Sequence, residues 1–133
     1  MPITYKIDLA HRCVFSSGAG EFSYNDARAH MDRLLEDPDF DPAFSQLIDF
    51  SEITKVALTH DEIYELSGRH VFAPDARRAF VTSTAEQFGL ARMFQSYRAA
   101  KGETGIRVFR DRAEALAWLG LGDPPPPGHA KGG

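Results

Sequence analysis

A single cysteine, Cys13, leaves the chain without a partner for an internal disulfide, which suits a reducing compartment. Long apolar runs are missing as well. None approaches the ~18 residues of a bilayer-spanning helix, so no membrane span is expected. The stretch from Met1 to Asp8 has no basic segment followed by an apolar one. No signal peptide is therefore expected, and the cytoplasm is the default location. Lysine and arginine do not cluster among aromatics, which removes the electrostatic footprint of a nucleic-acid binder. No two of His11, His30, His60, His70 and His129 stand four apart as a zinc-protease helix requires, and no metal or cofactor is expected. The small residues Ser16, Ser17, Gly18, Ala19 and Gly20 lack a following Gly-Lys-Ser or Gly-x-Gly-x-x-Gly pattern. They read as a strand-end turn instead of a phosphate loop. Cys13 falls inside a strand-like run, away from the loops and helix starts that favour a thiolate. With no nucleophile–base or carboxylate pair standing out, the chain is not expected to be an enzyme.

What is present is 133 residues, 43% hydrophobic and 26% charged. That balance fits one soluble-type globular domain that buries roughly two thirds of its unfolded surface. Charge is unevenly placed. Residues 1–66 carry a net −8 and residues 67–133 a net +4, an asymmetry that can orient partners through long-range fields.

Ile3, Tyr5, Ile7 and Leu9 alternate with polar residues, the period of a half-buried strand. A turn at residues 10–12 leads into "CVFSSGAG", a second strand that completes a hairpin. Ser23 can cap a helix whose face is Ala27, Met31, Leu34 and Leu35, with Asp26 adding favourable charge near its start. "DPDFDP" ends that helix. The cycle then repeats. "QLIDF" reads as a central strand followed by a short polar bend, and Thr59 with Glu62 forms a capping box. "RRAFVTS" is a strand, with Ser83 and Glu86 capping a helix to about Ala100. "IRVF" is a strand, with Asp111 and Glu114 capping "RAEALAWLGL". The expected order is β-β-α-β-α-β-α-β-α, a mixed α/β sheet with helices packed on it and its later strands parallel. Residues 1–121 make a single domain. The tail "GDPPPPGHAKGG", residues 122–133, lacks the apolar content to pack and is expected to be disordered.

"LIDFSEITKV" ahead of a capped helix, in this element order, resembles STAS-type domains, the anti-sigma-factor-antagonist fold. Asp49, Phe50, Ser51, Ile53 and Thr54 match the apolar strand run of that family. "DPDFDPAF", "LARMFQ" and "VFRDRAEALAWL" resemble segments of small bacterial STAS-like proteins of unassigned function. The best-understood antagonists carry Asp-Ser-Ser-Gly at the helix start, where a partner kinase phosphorylates a serine. Here the aligned residues are Ala57, Leu58, Thr59 and His60, and only Thr59 keeps a hydroxyl.

The resemblance implies a non-enzymatic regulatory module that binds a protein partner, an anti-sigma-factor-like kinase or another regulator, and that can pair with a second copy of itself. Thr59 is the phosphorylation candidate, because a phosphate there would meet free amides at the positive end of a helix. Ser51, His60, Phe88 and Arg92 are the partner-binding candidates. On the third helix Leu90, Met93, Phe94 and Tyr97 share a core face, while Phe88 projects beside Arg92 on the other side. His70 is placed on the apolar face of the second helix with Ile63 and Leu66. Asp49 is expected to bond loop amides beside Ser51. The alternative is a small-ligand domain for a lipid or nucleotide, which a cavity of several hundred Å3 bordered by Phe and Met would favour.

Overall fold

The computed structural model describes residues 3–121, so the expected tail at 122–133 lies outside the described residues. The chain runs β1 (Ile3–Asp8), β2 (Cys13–Ser23), α1 (Tyr24–Glu36), β3 (Ser45–Ala57), α2 (His60–Leu66), β4 (Arg78–Val81), α3 (Ala85–Ala100), β5 (Ile106–Phe109) and α4 (Arg112–Trp118). This is the order expected from the alternation of apolar runs and caps. The strands form one sheet in the order β1-β2-β3-β4-β5, with β1 antiparallel to β2 and every later pairing parallel.

Helices cover both sides of the sheet. Inward side chains of β2, β3, β4 and β5, among them Phe22, Ile48, Phe80 and Ile106, pack with Ala27 of α1, Leu66 of α2 and Ala91 of α3. On the other side Leu47, Ala79, Val81 and Phe109 meet Ala115 and Leu116 of α4. All four residues of β4 are buried, as a strand covered on both faces requires.

Several local expectations need correction. "FSEITKV" is not a bend: β3 continues through it to Ala57, paired with β2 throughout. Two register shifts place extra residues in β3 between its partners of Ser17 and Ala19, and of Gly20 and Glu21. Each shift breaks the two-residue alternation, so the inward residues Phe50, Ile53 and Val56 stand three apart. Ser16–Gly20 is likewise no strand end, because β2 runs on to Ser23, with Gly20 taking a positive φ of 76°. Leu35 is 50% exposed; His30 takes its place on the buried face of α1.

The caps differ in detail. Ser23 with Asp26 and Thr59 with Glu62 are full capping boxes. Asp111 accepts from the Ala113 amide, and a reciprocal bond from Glu114 does not form. The third helix is capped one residue later than expected, by Thr84, which accepts from Gln87 N at 3.0 Å. Gln87 Oε1 accepts in turn from Ser83 N at 2.9 Å, satisfying the amide just ahead of the cap. Helix α2 ends at Leu66 and turns through Ser67, so His70 lies beyond the helix, exposed, with Nδ1 3.2 Å from Arg98 Nη2.

Candidate functional site

Between the sheet and its three-helix layer lies a cavity of about 110 Å3. Its floor is the inward face of two central strands: Gln46, Ile48 and Phe50 on β3, Arg78 and Phe80 on β4. The helices border it with Ala27, Met31 and Leu34, with Ile63 and Leu66, and with Leu90, Ala91 and Phe94, leaving it partly open. The Phe and Met lining matches what a ligand pocket was expected to show, although the volume is below the several hundred Å3 of a drug-sized site. An engineered apolar cavity of about 150 Å3 takes up benzene, so a space of this order suits a ligand of a few heavy atoms.

A chain of polar groups borders this apolar space. Arg78 Nε donates to Gln46 Oε1 at 3.1 Å, and Gln46 Nε2 donates to Ser16 Oγ at 3.2 Å. Ser16 Oγ also shares a hydrogen bond of 2.9 Å with His30 Nε2. Burial first, and then the Arg78 and Arg33 charges, push His30 down to about 4, so the ring is neutral near pH 7.

On its far side the guanidinium of Arg78 meets Glu103, with Nη1 3.1 Å from Oε2. Glu103 also accepts from Arg98 Nε at 2.6 Å, and Arg98 Nη1 donates to Ser67 O at 2.8 Å. Phe72 lies under the Arg78 guanidinium at 4.3 Å, a favourable site for a cation once water is removed. Burial pulls the Arg78 pKa below its ordinary value while Glu103 opposes the shift; the group stays protonated. The side chains of Arg78, Glu103 and Arg98 are 9%, 1% and 3% exposed. Together they bury two positive charges against one negative.

Among the residues singled out from sequence, Ser51 stands apart from Thr59 and His60. Ser51 is exposed, and its amide donates to Asp49 Oδ1 at 2.8 Å as expected; Asp49 Oδ2 accepts from Arg112 of α4. Thr59 and His60 lie on the far side of the β3 extension, six residues past Ser51 to Ala57, or roughly 20 Å of strand. Thr59 Oγ1 accepts from Glu62 N, and Glu62 accepts from Thr59 N. Phe88 is half-buried, with Arg110 over its ring at 4.4 Å and Arg92 at 5.8 Å. It packs under Arg110 of its own chain's β5–α4 junction. The buried positions of α3 are Gln87, Ala91 and Arg98. Leu90, Met93, Phe94 and Tyr97 are only half-buried.

No family model and no curated protein matches this chain. Among solved structures, an uncharacterised protein of the DUF3478 family from Shewanella loihica matches with a TM-score of 0.59 and 21% identity. The match covers 89% of this chain and 94% of that one, and that protein is described as having a SpoIIAA-like fold. The fold is SpoIIAA-like. The STAS-type resemblance carried by "LIDFSEITKV" thus stands at the level of architecture.

Within this SpoIIAA-like frame, sequence reasoning missed Arg78, Gln46, His30, Arg98 and Glu103. A signal existed for some of them. Gln46 shares an inward phase with Ile48 and Phe50, and Arg78 with Phe80, so each is a polar residue on a core-facing position. His30 occupies i+3 from Ala27 and i−4 from Leu34. Polar residues on buried faces call for partners, and here those partners come from other elements.

Proposed function

We propose that this domain binds a small, largely apolar molecule between its sheet and helices, and that it acts by binding and not by catalysis. The cavity carries this reading: a space of about 110 Å3, walled by Phe, Met, Leu and Ile, beside a short row of fixed polar groups. Apolar walls with a few convergent polar atoms are the usual composition of a ligand site. The test is native purification from the source organism followed by mass spectrometry of the released small molecules, with Ala91→Leu as a control. The extra side chain fills the space from α3. A stoichiometric small molecule retained by the natural chain and lost from Ala91→Leu supports the reading. Absence of any bound molecule, together with no rise in melting temperature across a panel of short apolar compounds, overturns it.

A second reading, docking of a protein regulator with phosphorylation of Thr59, is favoured by the construction of α2. That helix presents Thr59 and His60 to solvent at its start while Ile63 and Leu66 line the cavity. A partner or phosphate acting there would press on the wall of the same space. Added negative charge would stand beside Asp61 and Glu62, so its effect on α2 would be repulsive as well as capping. Detection of phosphothreonine 59 in the native protein supports this reading, and its absence under every growth condition removes it.

A further inference from the structure

Among the described residues, the one charged side chain in the cavity's lining is Arg78. Arg78 uses Nε on Gln46 and Nη1 on Glu103, and Nη2 has no hydrogen-bond partner among the described residues. Its side chain is nevertheless more than nine-tenths buried. The one fully enclosed orphan nitrogen among the described residues belongs to Arg69, so Arg78 Nη2 is not sealed by protein atoms. Arg78 borders the cavity, whereas Glu103 and Arg98 do not. Arg78 thus brings to the cavity's lining a guanidinium whose Nη2 group is unpaired among the described residues.

Charge leads to the same place. Arg78 and Arg98 share one carboxylate, Glu103, and His30 on the opposite wall is neutral, so the buried set has one positive charge more than it neutralises. A desolvated cation with a free N–H pair beside an apolar chamber is the recognition element for an anion that carries its own apolar tail. Resting on the reading of the cavity as a ligand site, we infer that the ligand is a small apolar monocarboxylate, its head on Arg78 Nη2 and its tail among Met31, Phe80, Ala91 and Phe94. The volume limits the tail to a few carbons. Gln46 holds the guanidinium in orientation and acts as a positioning residue.

The experiment is calorimetric titration of the full chain with butanoate, pentanoate and hexanoate, each against the primary alcohol of the same length. NMR signals of Met31 and Phe94 report where the probe sits. At least one acid is expected to bind ten- to a hundredfold more tightly than its alcohol, the scale of one charge-assisted bond in a dry site. Its shifts should centre on those two residues. Arg78→Lys keeps a charge and loses the planar fork; it should weaken the acid at least tenfold and leave the alcohol unchanged. Equal binding of acid and alcohol overturns the anion assignment while the ligand cavity stands. Binding of neither overturns both. Acid binding with shifts outside the cavity, or unchanged in a folded Arg78→Lys, also overturns the assignment.

Discussion

Glu103 is the most consequential single charge in the described structure, and Glu103→Gln tests why. Its carboxylate receives Arg98 Nε at 2.6 Å and Arg78 Nη1 at 3.1 Å, with the side chain 1% exposed. Glutamine keeps the shape. Its single acceptor oxygen can serve one arginine, but its amide NH2 then faces the donors of the other. The buried set moves from one excess positive charge to two. Breaking a buried ion pair by removing one partner costs about 3–5 kcal/mol, a large share of the roughly 5–15 kcal/mol that holds a domain folded. At about 2.1 cal/mol/K of unfolding entropy per residue, a chain of this length loses about 3–4 °C per kcal/mol, so melting should fall by roughly 10–18 °C. Urea denaturation should show a lower midpoint with an unchanged slope. The control is Asp49→Asn, which breaks the exposed pair with Arg112 and should cost about 1 kcal/mol or less. A Glu103→Gln protein that melts within about 3 °C of the natural chain, with unchanged slope, would show that water reaches these arginines, and the account of a desolvated charge cluster would be wrong.

Other outcomes follow from single contacts. His30 titrates near 4 when folded against the ordinary 6.5. The unfolded chain therefore takes up a proton that the folded one refuses, and stability falls as pH drops from about 6.5 to about 4, by up to about 3 kcal/mol. Urea midpoints across that window should show the slope in the natural chain and a reduced slope in His30→Gln. Thr84→Ala removes the true cap of α3 and should cost about 1 kcal/mol. Ser83→Ala removes only a 3.3 Å hydroxyl contact to Gln87 and should cost a few tenths of that; the reverse ranking in thermal melts would restore Ser83 as the cap. Gly105 lies where β5 opens against the strand beside it, and a Cβ there would stand 1.9 Å from Ala76 O. Gly105→Ala should therefore cost roughly 1–3 kcal/mol and, in hydrogen exchange, speed the Arg78 amide that donates to Gly105 O.

Local chemistry carried a large part of this protein's description into its sequence. Alternation in "ITYKID", the hydroxyl at Thr59 with its glutamate three residues on, and prolines after Glu36 act within a few residues. They suffice for element type and order, and from these the parallel later strands follow. Their reach also explains where reading failed. A strand with two register shifts loses its period, so β3 beyond Phe50 looked like a bend until β2 was seen pairing with it. Neighbouring hydroxyls at Ser83 and Thr84 offer equal caps in one dimension, and the placement of Gln87, whose Nε2 reaches Ile53 O, goes with the later one.

What packing alone decided is the polar end of the cavity. Arg78, Gln46, Ser16, His30, Arg98 and Glu103 come from β4, β3, β2, α1, α3 and the turn after it. The nearest two in sequence, Arg98 and Glu103, are five residues apart and meet across a helix end. The linear pattern shows each as a lone polar residue on or near a buried face. Only the sheet and the helices laid on it show that they satisfy one another, and that one NH2 group of the Arg78 guanidinium stays unpaired among the described residues. Hydrogen bonds and charges act over a few ångströms in space whatever the separation along the chain, so their pairing is a property of the fold and not of the sequence period.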